Sequence, residues 1–404
     1  MRDGSYVAGQ LREAVEVIRR RSNIPLREKF HIVALRGLSV GDIGRGDIIV
    51  ESERPGLAKL KRILDDKLDM FGLDWRSRVE NLLRFSWSHG GGISRADIDA
   101  WLKQFSDLGS HGWIGERLLR ALNFWPAPRL LQALDLTVAS IAGFGHICVN
   151  TQTIGKSAGV VSNQVQKHLE TLGAHVKTVD DLWNVLEKDN KSVLYIEDCL
   201  LSGTETCSLL RGLLNETTEG RRPKVSALAD PERLRSRRIE MRFGVIANLG
   251  RVVVEEFVSR RRLANISVAQ CGMKLATLTE DGVLAVRNGE FIDETKCMRD
   301  PAKHVRPMVF SDLALWDHAD RLLRAKQFCQ TLGTQLWQGY VDSKGWRWDK
   351  RRVEQCGLGM NGQGLALAFA HSVPKSSLPL FWYGGKVKLG SVRLTWRPLF
   401  PNAT

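Results

Sequence analysis

The chain has 404 residues, of which 43% are hydrophobic and 26% charged, with 59 Lys plus Arg against 45 Asp plus Glu and a formal charge of +14. This is the make-up of a globular protein of two or three domains with ample material for a core. No run of about eighteen apolar residues occurs, which argues against a membrane-spanning helix, and the positive balance favours polyanionic partners such as nucleotides, nucleic acid or an acidic protein.

The opening stretch, MRDGSYVAGQLREAVEVIRRRSN, breaks every apolar run with charge. No signal peptide is expected, and the chain is read as cytoplasmic with no membrane partner. The seven cysteines are scattered, without a CxxC pair or a Cys/His cluster at metal-ligand spacing, so they are expected to be buried free thiols.

In chain order, residues 1–90 are expected to form a basic, partly helical N-terminal region, a candidate partner- or nucleic-acid-binding unit. Residues 91–138 read as a mostly helical linker or cap, with Ser94 capping its first helix. After Ala139 the text alternates: GFGHICVN as a strand, TQTIGKSAG as a loop, and VVSNQVQKHLETLG as a helix. HVKTV, DDLWNVLEKD and SVLYIED then follow as strand, helix and strand. Such βαβαβ patterning predicts an α/β fold with a doubly wound, mainly parallel sheet. A basic insertion is expected near 215–238, followed by the strand MRFGVIAN, the helix RVVVEEFVSRRRLA and the strand ISVAQCG. Helix returns over about 310–345, and a β-rich Trp/Pro block closes the 139–404 core.

The stretch VLYIEDCLLSGTET (193–206) carries the clearest chemistry. An apolar strand meets two acids, Glu197 and Asp198, and a short loop with Ser202, Gly203 and Thr204 leads into a helix. In an open parallel sheet ligands gather at the carboxyl ends of the strands. Loop and helix N–H groups there form an anion site, and two carboxylates suit the vicinal hydroxyls of a ribose, directly or through hydrated Mg²⁺. Taken alone, the loop reads equally well as a Gly-Thr turn before a helix.

The stretch resembles the ribose-phosphate motif of type I phosphoribosyltransferases. The resemblance implies that Glu197 and Asp198 contact the ribose and that Leu201, Ser202, Gly203, Thr204, Glu205 and Thr206 surround its 5′-phosphate. Leu201 departs from the pattern, because that position is commonly Thr. An upstream loop, TQTIGKSAG, occupies the place of the family's pyrophosphate loop, which implies Lys156 and Ser157 toward the diphosphate; on its residues alone it reads equally well as a Gly-rich βα turn with a solvated lysine.

Further blocks are similar to the phosphoribosyltransferase-like family of bacterial conflict and anti-phage loci, the PRTase-CE group. They are the W-L-x-Q-F element (Trp101 to Phe105), ERLLRALNFW, GKSAG, and LGMNGQGLALAFAHSVPKSSLPLFWYGG followed by TWRPLFP. They extend over roughly residues 93–401. The resemblance implies a phosphoribosyltransferase-like effector of anti-phage defence that binds phosphoribosyl diphosphate or a related nucleotide with Mg²⁺. The reaction implied is transfer or cleavage at ribose C1, with Glu197, Asp198 and Lys156 at its centre. Two alternatives stand beside it: a non-catalytic nucleotide-sensing or nucleic-acid-binding module, and a toxin held inactive by a co-encoded defence protein.

The densest basic clusters, Arg233, Arg235, Arg237 and Arg238 with Arg260, Arg261 and Arg262, are candidate contacts for nucleic acid or a partner. The twelve tryptophans are expected mainly in core packing, with base stacking as the competing role. His371, in AFAHSVP, is a candidate contact for a base or phosphate, though a lone strand-end histidine is more often structural.

Overall fold

The computed structural model describes residues 92–149, 157–172, 177–179, 182–188, 190–216, 227–269, 271–289 and 301–400, together with Leu82. All belong to one compact unit, Asp66–Thr404. The expectations for residues 1–90 and for Lys156 therefore fall outside the described residues, apart from Leu82.

Helices α1 (Arg95–Asp107) and α2 (Gly112–Ala121) precede a short strand β1 (Asn123–Trp125) and helices α3 (Ala127–Ala133) and α4 (Val138–Ile141). The alternating core follows: β2 (His146–Val149), α5 (Ser157–Thr171), β3 (Lys177–Val179), α6 (Leu182–Lys188), β4 (Val193–Leu200) and α7 (Thr204–Leu213). It continues with α8 (Glu232–Ser236), β5 (Ile239–Ala247), α9 (Asn248–Arg260), β6 (Ile266–Val268), β7 (Met273–Leu275) and α10 (Glu280–Arg287). The last part contains α11 (Pro301–His304), α12 (Leu313–Trp316), α13 (Ala319–Ser343), α14 (Lys350–Gln355), β8 (Leu367–Phe369), α15 (Pro379–Trp382), β9 (Gly385–Leu389) and β10 (Val392–Trp396).

The main sheet is wholly parallel in the order β3-β2-β4-β5-β6, with β7 pairing the far end of β5. Strands β4 and β5 are central, covered on both faces, and their sequences run nearly unbroken in apolar residues as such strands must. Cys148, Tyr195, Met241 and Phe243 feed the core on one face, and Ile147, Leu194, Ile196 and Val245 feed the core on the other.

Arg242 is a charged exception inside the sheet, its side chain 7% exposed. It pairs with Glu240 at 2.8 Å and donates to the carbonyls of Asp135 (2.6 Å) and Ser140 (3.0 Å). The guanidinium thus ties the 134–140 turn to β5, and a buried charge is tolerated only with such a full set of partners.

The remaining body is a separate core built from α1, α2, α13 and the C-terminal block. Trp101 of α1 and Trp396 of β10 both donate from Nε1 to the Leu380 carbonyl, each at 3.0 Å. Gln104 closes a two-way bond with the Arg397 backbone, receiving its N–H at 2.6 Å and donating to its carbonyl at 2.9 Å. The Trp101–Phe105 element and the LPLFW and TWRPLFP blocks, far apart in sequence, thus meet in one place.

The two bodies are joined by a parallel pairing of β1 with β8, Asn123 to Leu367 and Trp125 to Phe369. Trp125, Leu367 and Phe369 pack into the sheet's second core. The NFW strand lies inside the stretch expected to be mostly helical. Three residues followed by Pro126 leave no periodicity from which to read a strand.

Candidate functional site

Strand β4 does not stop at its acids. It runs on to Leu200, and of its last four residues Glu197, Cys199 and Leu200 pair with β5, opposite Phe243, Val245 and Ile246. Among the described residues β2 pairs with β4 only as far as Ile196, and Glu197 and Asp198 follow toward the carboxyl end of the strand.

Alternation along the strand sends the two carboxylates to opposite faces. Glu197 lies on the Tyr195 side, where the phenol donates to its Oε1 at 2.6 Å. Burial, and then the Glu197 charge, push the Tyr195 hydroxyl well above its usual range, so the phenol stays a donor.

Asp198 points the other way, toward the end of β8. Its Oδ2 lies 2.8 Å from Nε2 of His371, whose side chain is 1% exposed. The His371 ring stacks on Phe369 at 5.5 Å, which fixes its plane. Ser372 reaches the same carboxylate oxygen at 3.5 Å. Burial pushes the Asp198 carboxyl up, but the hydrogen bond and charge of His371 and the contacts of Cys199 outweigh it and hold the group below its ordinary range. An ionised carboxylate only accepts, so Nε2 carries the proton in this pair. Next along the strand, the Cys199 thiol is pushed well up, by burial first and then by Asp198, and remains protonated.

The turn after β4 is shaped by close packing. Gly203 takes the left-handed conformation, φ 73°, and a Cβ there would meet the Gly250 carbonyl at 2.7 Å. A Cβ on Gly250 would in turn meet the Leu200 carbonyl at 2.9 Å. The loop therefore lies directly against α9, and both glycines are required by that approach. Ser202 Oγ receives the Thr204 N–H at 3.4 Å and donates to the Thr204 hydroxyl at 3.0 Å, at the N-terminus of α7. Glu205 is exposed in the first helical turn, while Thr206 is 2% exposed. Leu201 is 7% exposed within the core shared with Val149, Ile196 and Val245. Its side chain fills apolar space at the place where the resembling motif carries a hydroxyl.

Ser157 begins α5, so the GKSAG block runs directly into a helix. The arginine clusters are largely engaged within the fold. Arg237, 5% exposed, donates to the Val185 carbonyl and to Asn190 Oδ1. Arg233 binds the Glu187 backbone carbonyl and side chain, Arg235 pairs with Glu232, and Arg238 lies over Phe144. Arg260 pairs with Glu256, and Arg261 grips Glu216 through two bonds of 2.6 and 2.9 Å; Arg262 is exposed. Five of the tryptophans (Trp101, Trp316, Trp337, Trp382 and Trp396) are fully buried, as core packing requires.

His371 is the residue whose contact with Asp198 sequence reasoning did not foresee. The only trace in the sequence is a polar His-Ser pair at the end of an apolar run, formally like the acids at the end of β4.

A parallel sheet flanked by helices, with acids and a hydroxyl-bearing turn at the carboxyl end of its central strand, is consistent with a protein of the phosphoribosyltransferase-like class. The chain belongs to the PRTase-CE family, whose model matches residues 98–402. Searches of curated proteins and of solved structures found no match. Among the described residues no helix is long and apolar enough to cross a membrane, and no group of three or more His, Cys, Asp or Glu is arranged to hold a metal ion.

Proposed function

We propose that the chain binds a 5-phosphorylated ribose, as phosphoribosyl diphosphate or a related nucleotide, at the carboxyl end of β4. The observation that supports this reading is an ionised Asp198 near the end of β4, followed by the Ser202–Thr206 stretch that leads into the N-terminus of α7, where helix N–H groups would suit an anion. The sugar would meet the carboxylates and the phosphate would meet the turn.

Charge determines what else is needed. Glu197, Asp198 and Glu205 crowd this strand end; Glu197 and Glu205 both raise Tyr195 and Cys199. A diphosphate entering such a field needs a counter-cation. Mg²⁺ suits it, since that ion joins phosphate oxygens to one or two carboxylates and keeps several waters. Because Glu197 and Asp198 face opposite ways, one ion would take only one of them directly. When bound, the metal would offset the charge of a departing diphosphate, with Lys156 beside it. Asp198, held by His371, would orient the ribose as charge builds at C1. The biological setting proposed is an effector of bacterial anti-phage defence.

The buried Leu201 favours a second reading, a module that binds the ligand without turning it over, because the turn has one hydroxyl fewer for the phosphate. Calorimetry with phosphoribosyl diphosphate and ribose 5-phosphate, with and without Mg²⁺, tests both readings. Binding lost in Asp198→Asn supports the site, and release of diphosphate separates enzyme from sensor. An absence of binding to either ligand would sink the proposal.

A further inference from the structure

The five fully buried tryptophans contrast with Trp346, which is 40% exposed and is the one large aromatic on the surface among the described residues. Its setting is built. Gly345, at φ 64° with open space around it, turns the chain at the end of α13, and the Trp346 N–H returns to the Val341 carbonyl at 3.1 Å. The indole stands edge-on to Tyr340, 5.7 Å away at 89°, and lies flat against Trp348 at 5.5 Å and 16°. Arg352 sits over Trp348 at 4.0 Å and holds the pair from below.

Cations collect around this group. The ammonium groups of Lys344 and Lys375 lie 5.8 and 5.4 Å from the Tyr340 ring, and Lys375 lies 5.8 Å from Trp346. Neighbouring acids are engaged elsewhere: Asp342 with Gln338 at 2.7 Å, Asp349 capping α14 through the Arg352 N–H at 2.8 Å, and Glu354 with Lys350 at 3.8 Å. Lys344, Arg347 and Lys375 are exposed and have no carboxylate partner among the described residues. The Arg233–Arg238 and Arg260–Arg261 positions, by contrast, are mostly satisfied within the fold.

We propose that the Tyr340–Trp346–Trp348 surface docks single-stranded nucleic acid, one base stacking on Trp346 and flanking phosphates meeting Lys344, Arg347 and Lys375. Stacking platforms interleaved with unpaired cations are what sequence-tolerant single-strand binding requires. A duplex hides the base faces that the indole would use. Because Tyr340 and Trp348 already fix the ring, little side-chain freedom is lost on binding. The surface is independent of the β4 strand end, so it stands whichever ligand that site takes.

Fluorescence anisotropy on the full chain tests this with a labelled single-stranded DNA of about 15 nucleotides, the RNA of the same sequence, and the DNA duplex. Either single strand should bind at low salt, the duplex more weakly, and comparison of DNA with RNA identifies the preferred strand. Trp346→Ala should weaken binding about tenfold or more and Trp346→Phe should restore most of it. The Lys344→Ala/Lys375→Ala variant should reduce the slope of log affinity against log salt by about 1 to 1.5. The proposal is overturned if neither strand binds the wild-type chain, or if Trp346→Ala binds unchanged while its circular dichroism shows an intact fold.

Discussion

His371 and Asp198 stand 173 residues apart in the chain and 2.8 Å apart in space. The histidine lies two residues beyond β8, a strand that belongs to the pairing with β1 and not to the main sheet, so the strand-end acid is oriented from outside the sheet. Removing either partner leaves the other buried or half-buried without its charge-assisted bond. His371→Ala and Asp198→Ala are each expected to cost about 2–4 kcal/mol. Urea unfolding of the two single variants and the double variant checks this. A double variant no worse than either single would show that the two side chains act as one unit.

Acid should find the same pair. Asp198 is held below its ordinary 3.8 in the folded chain because the His371 and Cys199 contacts outweigh burial. A carboxyl with a depressed folded value contributes stability that is complete above the unfolded value and is lost as pH falls through the folded one. The stability of the wild-type chain should therefore decline below about pH 4, and Asp198→Asn should show a shallower decline. Parallel pH profiles for the two proteins would assign the acid sensitivity to other groups.

The Gly203–Gly250 approach makes a paired prediction. Gly203→Ala puts a Cβ 2.7 Å from the Gly250 carbonyl at a positive φ, and Gly250→Ala puts one 2.9 Å from the Leu200 carbonyl. Each should destabilise by about 1–3 kcal/mol, more than a surface Gly→Ala change. Thermal melts measure this. If the turn holds a phosphate, Gly203→Ala should also lower ribose 5-phosphate affinity beyond what the melt explains.

Leu201→Thr asks what the departure from the resembling motif does. Exchanging a core leucine for a smaller hydroxylated residue should cost about 1–3 kcal/mol. Under the ligand reading, the added hydroxyl should raise affinity for phosphoribosyl diphosphate, as read by calorimetry. A stability loss without any gain in affinity would count against the turn as the phosphate site.

Gln104→Leu tests the junction of the distant sequence blocks. The substitution keeps the apolar volume but strands both the N–H and the carbonyl of Arg397, bonded at 2.6 and 2.9 Å in the native chain. An expected loss of about 2–4 kcal/mol would appear as a lowered unfolding midpoint, with far-ultraviolet dichroism otherwise unchanged.

The alternating core was readable from β2 through α9 because buried parallel strands leave continuous apolar runs between helices, as VLYI and RFGVIA do. Glu197 and Asp198 stood out for the same reason, as charge at the end of such a run. What spacing could not show was their divergence, since the apolar run ends at Ile196 while the strand continues to Leu200. His371 was hidden because its partner is set by a crossing between β8 and the sheet, not by any local period. The arginine clusters misdirect in the same way. Arg237 and Arg261 look like surface charge in a string of letters, and only the fold brings Val185, Asn190 and Glu216 to them.

The β1–β8 pairing also sets an order in time. During synthesis, every strand of the main sheet emerges before residue 367, and the acid at the tip of β4 emerges long before the imidazole that holds it. A nascent or truncated chain ending short of His371 can have its sheet complete and still lack a finished strand end. The strand-end carboxylate of Asp198 therefore gains its imidazole partner only once residue 371 has been made, and any truncation before that point leaves the acid in place without the group that orients it.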